Sequence, residues 1–374
     1  MALGPCATGG RSMLVEGAVL DIDGPRAAYV RFDHGRIVEV GQPGTASTRG
    51  RLHKVHGIVV PAPVNGHTHL GDAVSVREPP AATVEELVAP PNGYKFRLLA
   101  STPRAAKVAA VRRALLRMVR EGIGADLDFR EEGVQGIDLF RAASRSVPIR
   151  TFVFARPVRR PIDREELAEV LARADGIGLS SARDESPETR RDVARACRLA
   201  GKRFGLHASE AVREPPETYL DPTPDLLVHL AKATADDLAM VRDEEVAVVV
   251  CPRSNAWFGR QPDLRAMERL GLRVLIGTDN AMLHPPSIWS ELQFAYTSSR
   301  LIDRPASAAF LARAALVEPW TWLGEPEAAR VAPGTPVRPL VLRLPSDDPA
   351  YQLVSRTTEQ VIVRVATGAR RASR

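Results

Sequence analysis

The stretch GIVVPAPVNGHTHLGD, residues 57–72, decides the reading of the chain, because an apolar, β-rich run ends there in two histidines one residue apart. Alternation along a strand puts His67 and His69 on the same face, so two ring nitrogens can meet one metal ion. Working outward from this point, further short β-rich runs follow in order: GADLDF, IRTFVFA, DGIGLS, RFGLHA, DLLVHL, VAVVVC and RVLIGTD. Longer helical patterns separate them. That alternation argues for βα units on a parallel sheet, and eight strands are what a closed (β/α)₈ TIM barrel requires. The spacing varies and no sequence unit recurs, which argues against a solenoid.

The two ends read differently. MLVEGAVLDIDGPRAAYVRFDHGRIVEVG, residues 13–41, shows short apolar alternations broken by Gly and Pro, a pattern of antiparallel strands. The pattern returns in PLVLRLPS and TEQVIVRVATG, after the turn-rich APGTPVRP. The expected organisation is therefore a small β-sandwich domain from residues 13–57 and 333–366, a barrel over 58–332, and a flexible Gly- and Ala-rich tail over 1–12. Within the barrel, Thr234 and Asp237 form a capping-box pattern ahead of Leu238, Met240 and Val241, which predicts a helix with those three on its apolar face. Residues 79–91 contain four prolines and read as an extended loop with a short helical piece, placed to cover a site above the first strand.

Composition sets bounds. With 374 residues, 44% hydrophobic and 26% charged, the chain can bury a large core without disulfides. The formal charge of +6 is spread along the chain without interleaved aromatics, which argues against a nucleic-acid partner. Cys6, Cys197 and Cys251 are too few and too scattered for a disulfide framework, so a cytoplasmic setting is expected. No run is apolar and long enough to span a bilayer, and the first residues lack a signal-peptide core.

Three more residues stand where chemistry would be expected. His207 ends RFGLH, His229 ends DLLVH and Asp279 ends RVLIGTD, each at the C-terminal edge of its own strand. Active sites of parallel barrels lie at that edge. The remaining histidines, His34, His53, His56 and His284, fall in turns or in the small β domain.

This order of motifs resembles the amidohydrolase superfamily, whose signature is His-x-His after strand one, His after strands five and six, and Asp after strand eight. The resemblance covers roughly residues 58–320. PAPVNGHTHLGD, CPRSN at 251–255 and GTDNAML at 277–283 are similar to the deaminase and chlorohydrolase branch. The resemblance implies one divalent metal ion, Zn²⁺ first and Fe²⁺ as the alternative, held by His67, His69, His207 and Asp279. Members with two metals carry a Lys after strand four; DGIGLSSARDES has none, and Asp184 and Glu185 lie beyond the strand end.

By the same resemblance the catalytic groups are Glu210, His229 and Asp279. Glu210, in the HASE run, shuttles protons; His229 orients the attacking group or stabilises an oxyanion; Asp279 collects a second proton. The implied activity is hydrolytic deamination of a cyclic amidine with release of ammonia. Cleavage of an amide or displacement of another leaving group is the alternative, and a non-catalytic metal-binding barrel is the third reading. The expected partner is a small heterocyclic substrate, with no membrane or nucleic acid, and homo-oligomerisation stays open. The substrate pocket is unassigned: Trp257, Phe258 and Trp289 are candidates for stacking, Lys95 and Arg156 for anion contacts, and Arg253 for a structural role.

Overall fold

The computed structural model describes residues 12–47, 52–75, 77–80 and 83–363. The expected tail lies outside the described residues except for Ser12, as do residues 364–366 of the C-terminal β segment. In chain order the strands are β1 (Met13–Asp21), β2 (Gly24–Asp33), β3 (Arg36–Gly41), β4 (His53–Val60), β5 (Val64–His69), β6 (Ala125–Arg130), β7 (Arg150–Ala155), β8 (Gly176–Leu179), β9 (Arg203–Ala208), β10 (Leu226–His229), β11 (Ala247–Val250), β12 (Val274–Ile276), β13 (Asp279–Asn280), β14 (Leu340–Leu342) and β15 (Ile362–Val363). They form two sheets in two compact units, one running up to Pro63 and resuming at Ser307, the other spanning Val64–Ala306.

In the first unit both chain ends contribute to one six-stranded sheet, ordered β15-β14-β4-β1-β2-β3. β4 lies parallel to β1 and antiparallel to β14, so residues more than two hundred positions apart share backbone hydrogen bonds. The run GIVVPAPVNGH, read as one strand from sequence, is divided. Ile58, Val59 and Val60 belong to β4 and the terminal sheet, while Val64 onward forms β5 of the other unit. Pro61 and Pro63 account for the break, since neither has an N–H to donate to a ladder. Val59 joins Val15, Val30, Phe32, Val331 and Val341 in an apolar cluster. The helices Ala308–Leu316 and Glu318–Trp322 also lie in this unit, where buried Trp320 donates its ring N–H to the Ala62 carbonyl at 2.8 Å.

The second unit is a parallel sheet ordered β12-β11-β10-β9-β8-β7-β6-β5-β13. β12 and β13 are consecutive halves of the eighth barrel strand, interrupted at Gly277 and Thr278. β12 pairs with β11 and β13 pairs with β5, so the sheet closes on itself as a barrel. At the seam the Gly277 N–H donates to the Val250 carbonyl, and the Thr278 N–H is shared between the His67 carbonyl and Asn65 Oδ1, all at 3.0 Å. Asn65 Nδ2 completes the link by donating to Thr278 Oγ1 at 2.8 Å.

Helices fill the connections. Ala235–Asp243 has the expected capping box between Thr234 and Asp237 and buries Leu238 and Val241, but Met240 faces outward, one position off the apolar stripe. The short helix Val84–Val88 sits in the proline-bracketed segment and is capped by Thr83. Among the described residues no helix is long and apolar enough to cross a membrane.

Gly277 is required at the seam by close approach. A Cβ built there would lie 2.7 Å from His67 Cβ and 2.8 Å from the His67 nitrogen. Overpacking of this kind typically costs about 1–3 kcal/mol. Gly277→Ala should lower unfolding stability by that amount in urea titration and reduce the metal content of the purified protein. Wild-type values for both would show that the seam accommodates a methyl group.

Candidate active site

The C-terminal edge of the barrel sheet brings four of the sequence-selected groups together. His67 and His69 come from β5, His207 from β9 and Asp279 from the first position of β13. His207 Nε2 lies 3.3 Å from His67 Nε2 and 3.4 Å from His69 Nε2. Asp279 Oδ1 lies 3.3 Å from His67 Nε2 and 3.6 Å from His69 Nε2. Among the described residues, these three histidines are the group of ligand-type side chains close enough to share one ion.

The geometry suits a cation. A tetrahedral ion held at about 2.0–2.1 Å keeps its ligand atoms about 3.3–3.4 Å apart, close to the separations found. The ring tautomers point the same way. His207 Nδ1 donates to the Leu179 carbonyl at 2.8 Å, and His69 Nδ1 lies 2.9 Å from Glu131 Oε1. With the proton committed to Nδ1 in both rings, their Nε2 lone pairs face each other, an arrangement that a shared cation relieves. His67 is steadied by packing edge-on against Phe129, with ring centroids 4.3 Å apart.

Burial pushes the His67 and His207 imidazoles below their ordinary pKa and His69 down to about 4, so all three are neutral ligands at neutral pH. Burial opposes ionisation of Asp279, yet the His67 contact and the surrounding imidazoles hold its carboxyl well below the usual range. Its other oxygen, Oδ2, accepts from the Ser254 hydroxyl.

Glu210 and His229 stand beside this cluster rather than in it. Glu210 Oε2 is 3.6 Å from His229 Nε2. Asn255 Nδ2 donates to His229 Nδ1 at 3.1 Å, which leaves the ring proton on Nε2, directed toward Glu210. Burial and the nearby Asp279 charge push the Glu210 carboxyl up to about 8. His229 and Asp279 both adopt positive φ, at 80° and 56°, a backbone region unusual for such residues and often retained at functional sites. A cavity of about 240 Å³ opens onto these groups and is also lined by Glu85, Val88 and Pro90 from the proline-bracketed segment.

Sequence reading missed several supporting residues. Glu131, just beyond β6, touches His69 and accepts Lys95 Nζ at 2.5 Å, while Lys95 also reaches Asp72 Oδ2 at 3.2 Å. Burial works against the Glu131 charge, but Lys95, His69 and Arg156 hold its carboxyl well below the ordinary value. No local signal marks Glu131, because its partners come from other elements. Ser254 and Asn255 lie in the CPRSN run, on the short helix Pro252–Trp257, but the run carries no local sign of their contacts with Asp279 and His229. Of the candidate stacking residues, Phe258 lines the cavity; Trp289 is buried, donating to the Glu121 carbonyl at 2.8 Å, and Trp257 is partly exposed. Lys95 and Arg156 line the cavity. Arg253 pairs with buried Glu291 at 2.6 Å.

The sequence profile described as the Amidohydrolase family matches residues 58–316. A relative from Methanothermobacter thermautotrophicus, named "Putative aminohydrolase", is 31% identical over 362 residues, spanning 91% of this chain and 92% of that protein. Among solved structures, an adenosine deaminase from Xanthomonas campestris with bound zinc superposes with a TM-score of 0.74 at 17% identity, covering 96% of this chain and 93% of the other. A guanine deaminase from C. acetobutylicum with guanine in its active site gives 0.73 at 14% identity, covering 96% and 99%. At these identities the structural likeness is one of fold.

Two outcomes follow for the ligand cluster. Elemental analysis should find about one divalent ion per chain, and two equivalents bridged by a carboxylated side chain would overturn the single-ion geometry. Glu131→Gln should weaken metal binding by about 10–100-fold in chelator competition, the usual effect of removing a carboxylate that steadies a ligating imidazole. Unaltered affinity would mean that Glu131 does not steady His69.

Proposed function

The chain belongs to the amidohydrolase family, and from that premise we propose that this hydrolase uses one divalent ion, Zn²⁺ first, to deaminate a small cyclic amidine. The observation that carries the reading is the placement of Glu210 and His229 in the cavity that His69, His207 and Asp279 also line, beside the three-imidazole cluster. His67, His69, His207 and Asp279 would hold the ion. When bound, a divalent ion supplies Lewis acidity and can lower the pKa of water from 15.7 to about 7.

The protein groups then divide the proton work. Glu210, 3.6 Å from His229 Nε2 in the same cavity, is placed to take a proton from water and deliver it to the ring nitrogen beside the reacting carbon. That transfer makes the carbon more electrophilic as the oxygen adds. His229 presents its Nε2–H to the oxygen that gains negative charge. Asp279 takes the second proton of water and passes it to the exocyclic nitrogen. The C–N bond breaks, ammonia leaves, and a ring carbonyl with its protonated ring nitrogen remains. Asn255 fixes the His229 tautomer, and Ser254 holds the outer oxygen of Asp279.

In this reading the partner is a small heterocycle rather than nucleic acid or membrane. The setting is the cytoplasm, supported by the free, buried thiols of Cys197 and Cys251. Cleavage of an amide would use the same groups, and ammonia release from a panel of purines, pyrimidines, nucleosides and pterins separates the two. On a substrate found in that panel, Glu210→Gln should retain its metal while turnover falls by about 10²–10⁴-fold. Full turnover in that variant would remove Glu210 from the mechanism, and carbonyl release without ammonia would replace deamination with amide hydrolysis.

A further inference from the structure

Beyond the groups assigned to hydrolysis, the same cavity is lined by Lys95, Arg156 and Arg183. Arg156 directly follows the last residue of β7, so it stands on the strand-end edge that carries the imidazoles. It is only 7% exposed. A guanidinium offers five N–H donors in a planar fork, and when buried it is expected to find acceptors for them. Here Nη2 reaches Glu131 Oε1 at 3.5 Å, while Nε and Nη1 have no hydrogen-bond partner.

Glu131 does not neutralise Arg156 closely, because the same oxygen serves Lys95 Nζ at 2.5 Å and His69 Nδ1 at 2.9 Å. Asp184 and Asp72 act on Arg156 from farther away, and Arg160 opposes them. The Phe96 ring, 5.9 Å from the guanidinium carbon, adds an apolar wall. Arg183, half exposed and paired with Glu214 Oε1 at 3.2 Å, adds positive charge on the side of β8. Burying an under-paired cation is costly, and a ligand with acceptor oxygens would offset that cost. Position matters as well. Glu131 Oε1 touches both His69 and Arg156, so the cation lies one carboxylate away from the ligand cluster, on the side of β6 and β7, whereas Glu210 and His229 follow β9 and β10.

We propose that this side of the cavity is an anion subsite, and that the substrate is a heterocycle bearing a carboxylate or phosphate group that pairs with Arg156, with the guanidinium of Arg183 beside it on the side of β8. The inference rests on the reading of the cavity as a hydrolase site and names its substrate class. A charged, forked contact of this kind discriminates by about 10–100-fold against a ligand lacking the anion.

The test uses zinc-loaded enzyme and matched neutral and anionic probes: pterin with 6-carboxypterin, cytidine with cytidine 5′-monophosphate, and adenosine with adenosine 5′-monophosphate. Ammonia release gives kcat/KM, and calorimetry gives binding independently of turnover. In at least one pair the anionic member should be favoured about 10–100-fold, the pterin pair reporting a carboxylate subsite and the nucleotide pairs a phosphate subsite. Arg156→Gln should bring that ratio close to one with metal content retained, and Arg156→Lys, which keeps the charge but loses the fork, should give an intermediate ratio. If Arg156→Gln does not fold, Arg183→Gln, at a half-exposed position, carries the test through a several-fold loss of the ratio. Equal binding of neutral and anionic members, no binding of any anionic member at millimolar concentration, or an anion preference untouched by these substitutions would overturn the subsite. Anion preference in calorimetry with no ammonia from any probe would sustain the subsite and count against deamination. Ammonia release without anion preference would do the reverse.

Discussion

The barrel unit is organised around three imidazole rings whose Nε2 atoms converge on one place. His207 Nε2 sits 3.3 and 3.4 Å from the Nε2 atoms of His67 and His69, and in two of these rings the proton is drawn to the far nitrogen by Leu179 and Glu131. Burial keeps the rings neutral, so mutual protonation does not resolve the contact. A divalent ion is the group whose chemistry matches this donor set, and its binding would then be coupled to the stability of the surrounding fold. The positive φ values at His229 and Asp279 belong to the same balance, because each costs roughly 1–3 kcal/mol that surrounding contacts must offset.

The convergence depends on closing the barrel at one seam. His67 offers its carbonyl to Thr278 while its ring faces the cluster, and Asp279, the next residue, sends its carboxylate to the same place. Asn65 fastens first strand to last through both ends of its amide. Gly277 lets the two backbones approach until no side chain fits between them. Ligands separated by more than two hundred residues are thus positioned by short-range backbone contacts, which vary less than long side-chain linkages would.

The parts of this arrangement legible in sequence were those with a local cause. His67 and His69 share a face because strands alternate, and His207, His229 and Asp279 were visible because each ends an apolar run. The capping box at Thr234 was readable for the same reason, whereas Met240 faced outward although its neighbours were buried, since a helical stripe is narrower than a run of apolar letters. Pro61 and Pro63 stood in plain view, but assigning β4 to the terminal sheet needs knowledge of its pairing with β1 and β14. Lys95 and Arg156 were readable as candidate anion contacts, but Glu131 and Asp72, which they meet only in three dimensions, each read locally as an ordinary charged residue.

Those charges also divide the barrel edge into two parts. The groups proposed to hold the ion and to move protons lie on or directly after β5, β9, β10 and β13, where rearrangement would disturb the closure seam or the histidine cluster. Arg156, Ser180 and Arg183 follow β7 and β8 and line the same cavity. Glu131, which follows β6, joins the two sides, because it contacts His69 on one and Lys95 and Arg156 on the other. The proposed anion subsite and the proposed ion site are thereby linked through one carboxylate, since Glu131 Oε1 contacts both Arg156 and His69, and removing the Arg156 cation would act on the basicity of His69.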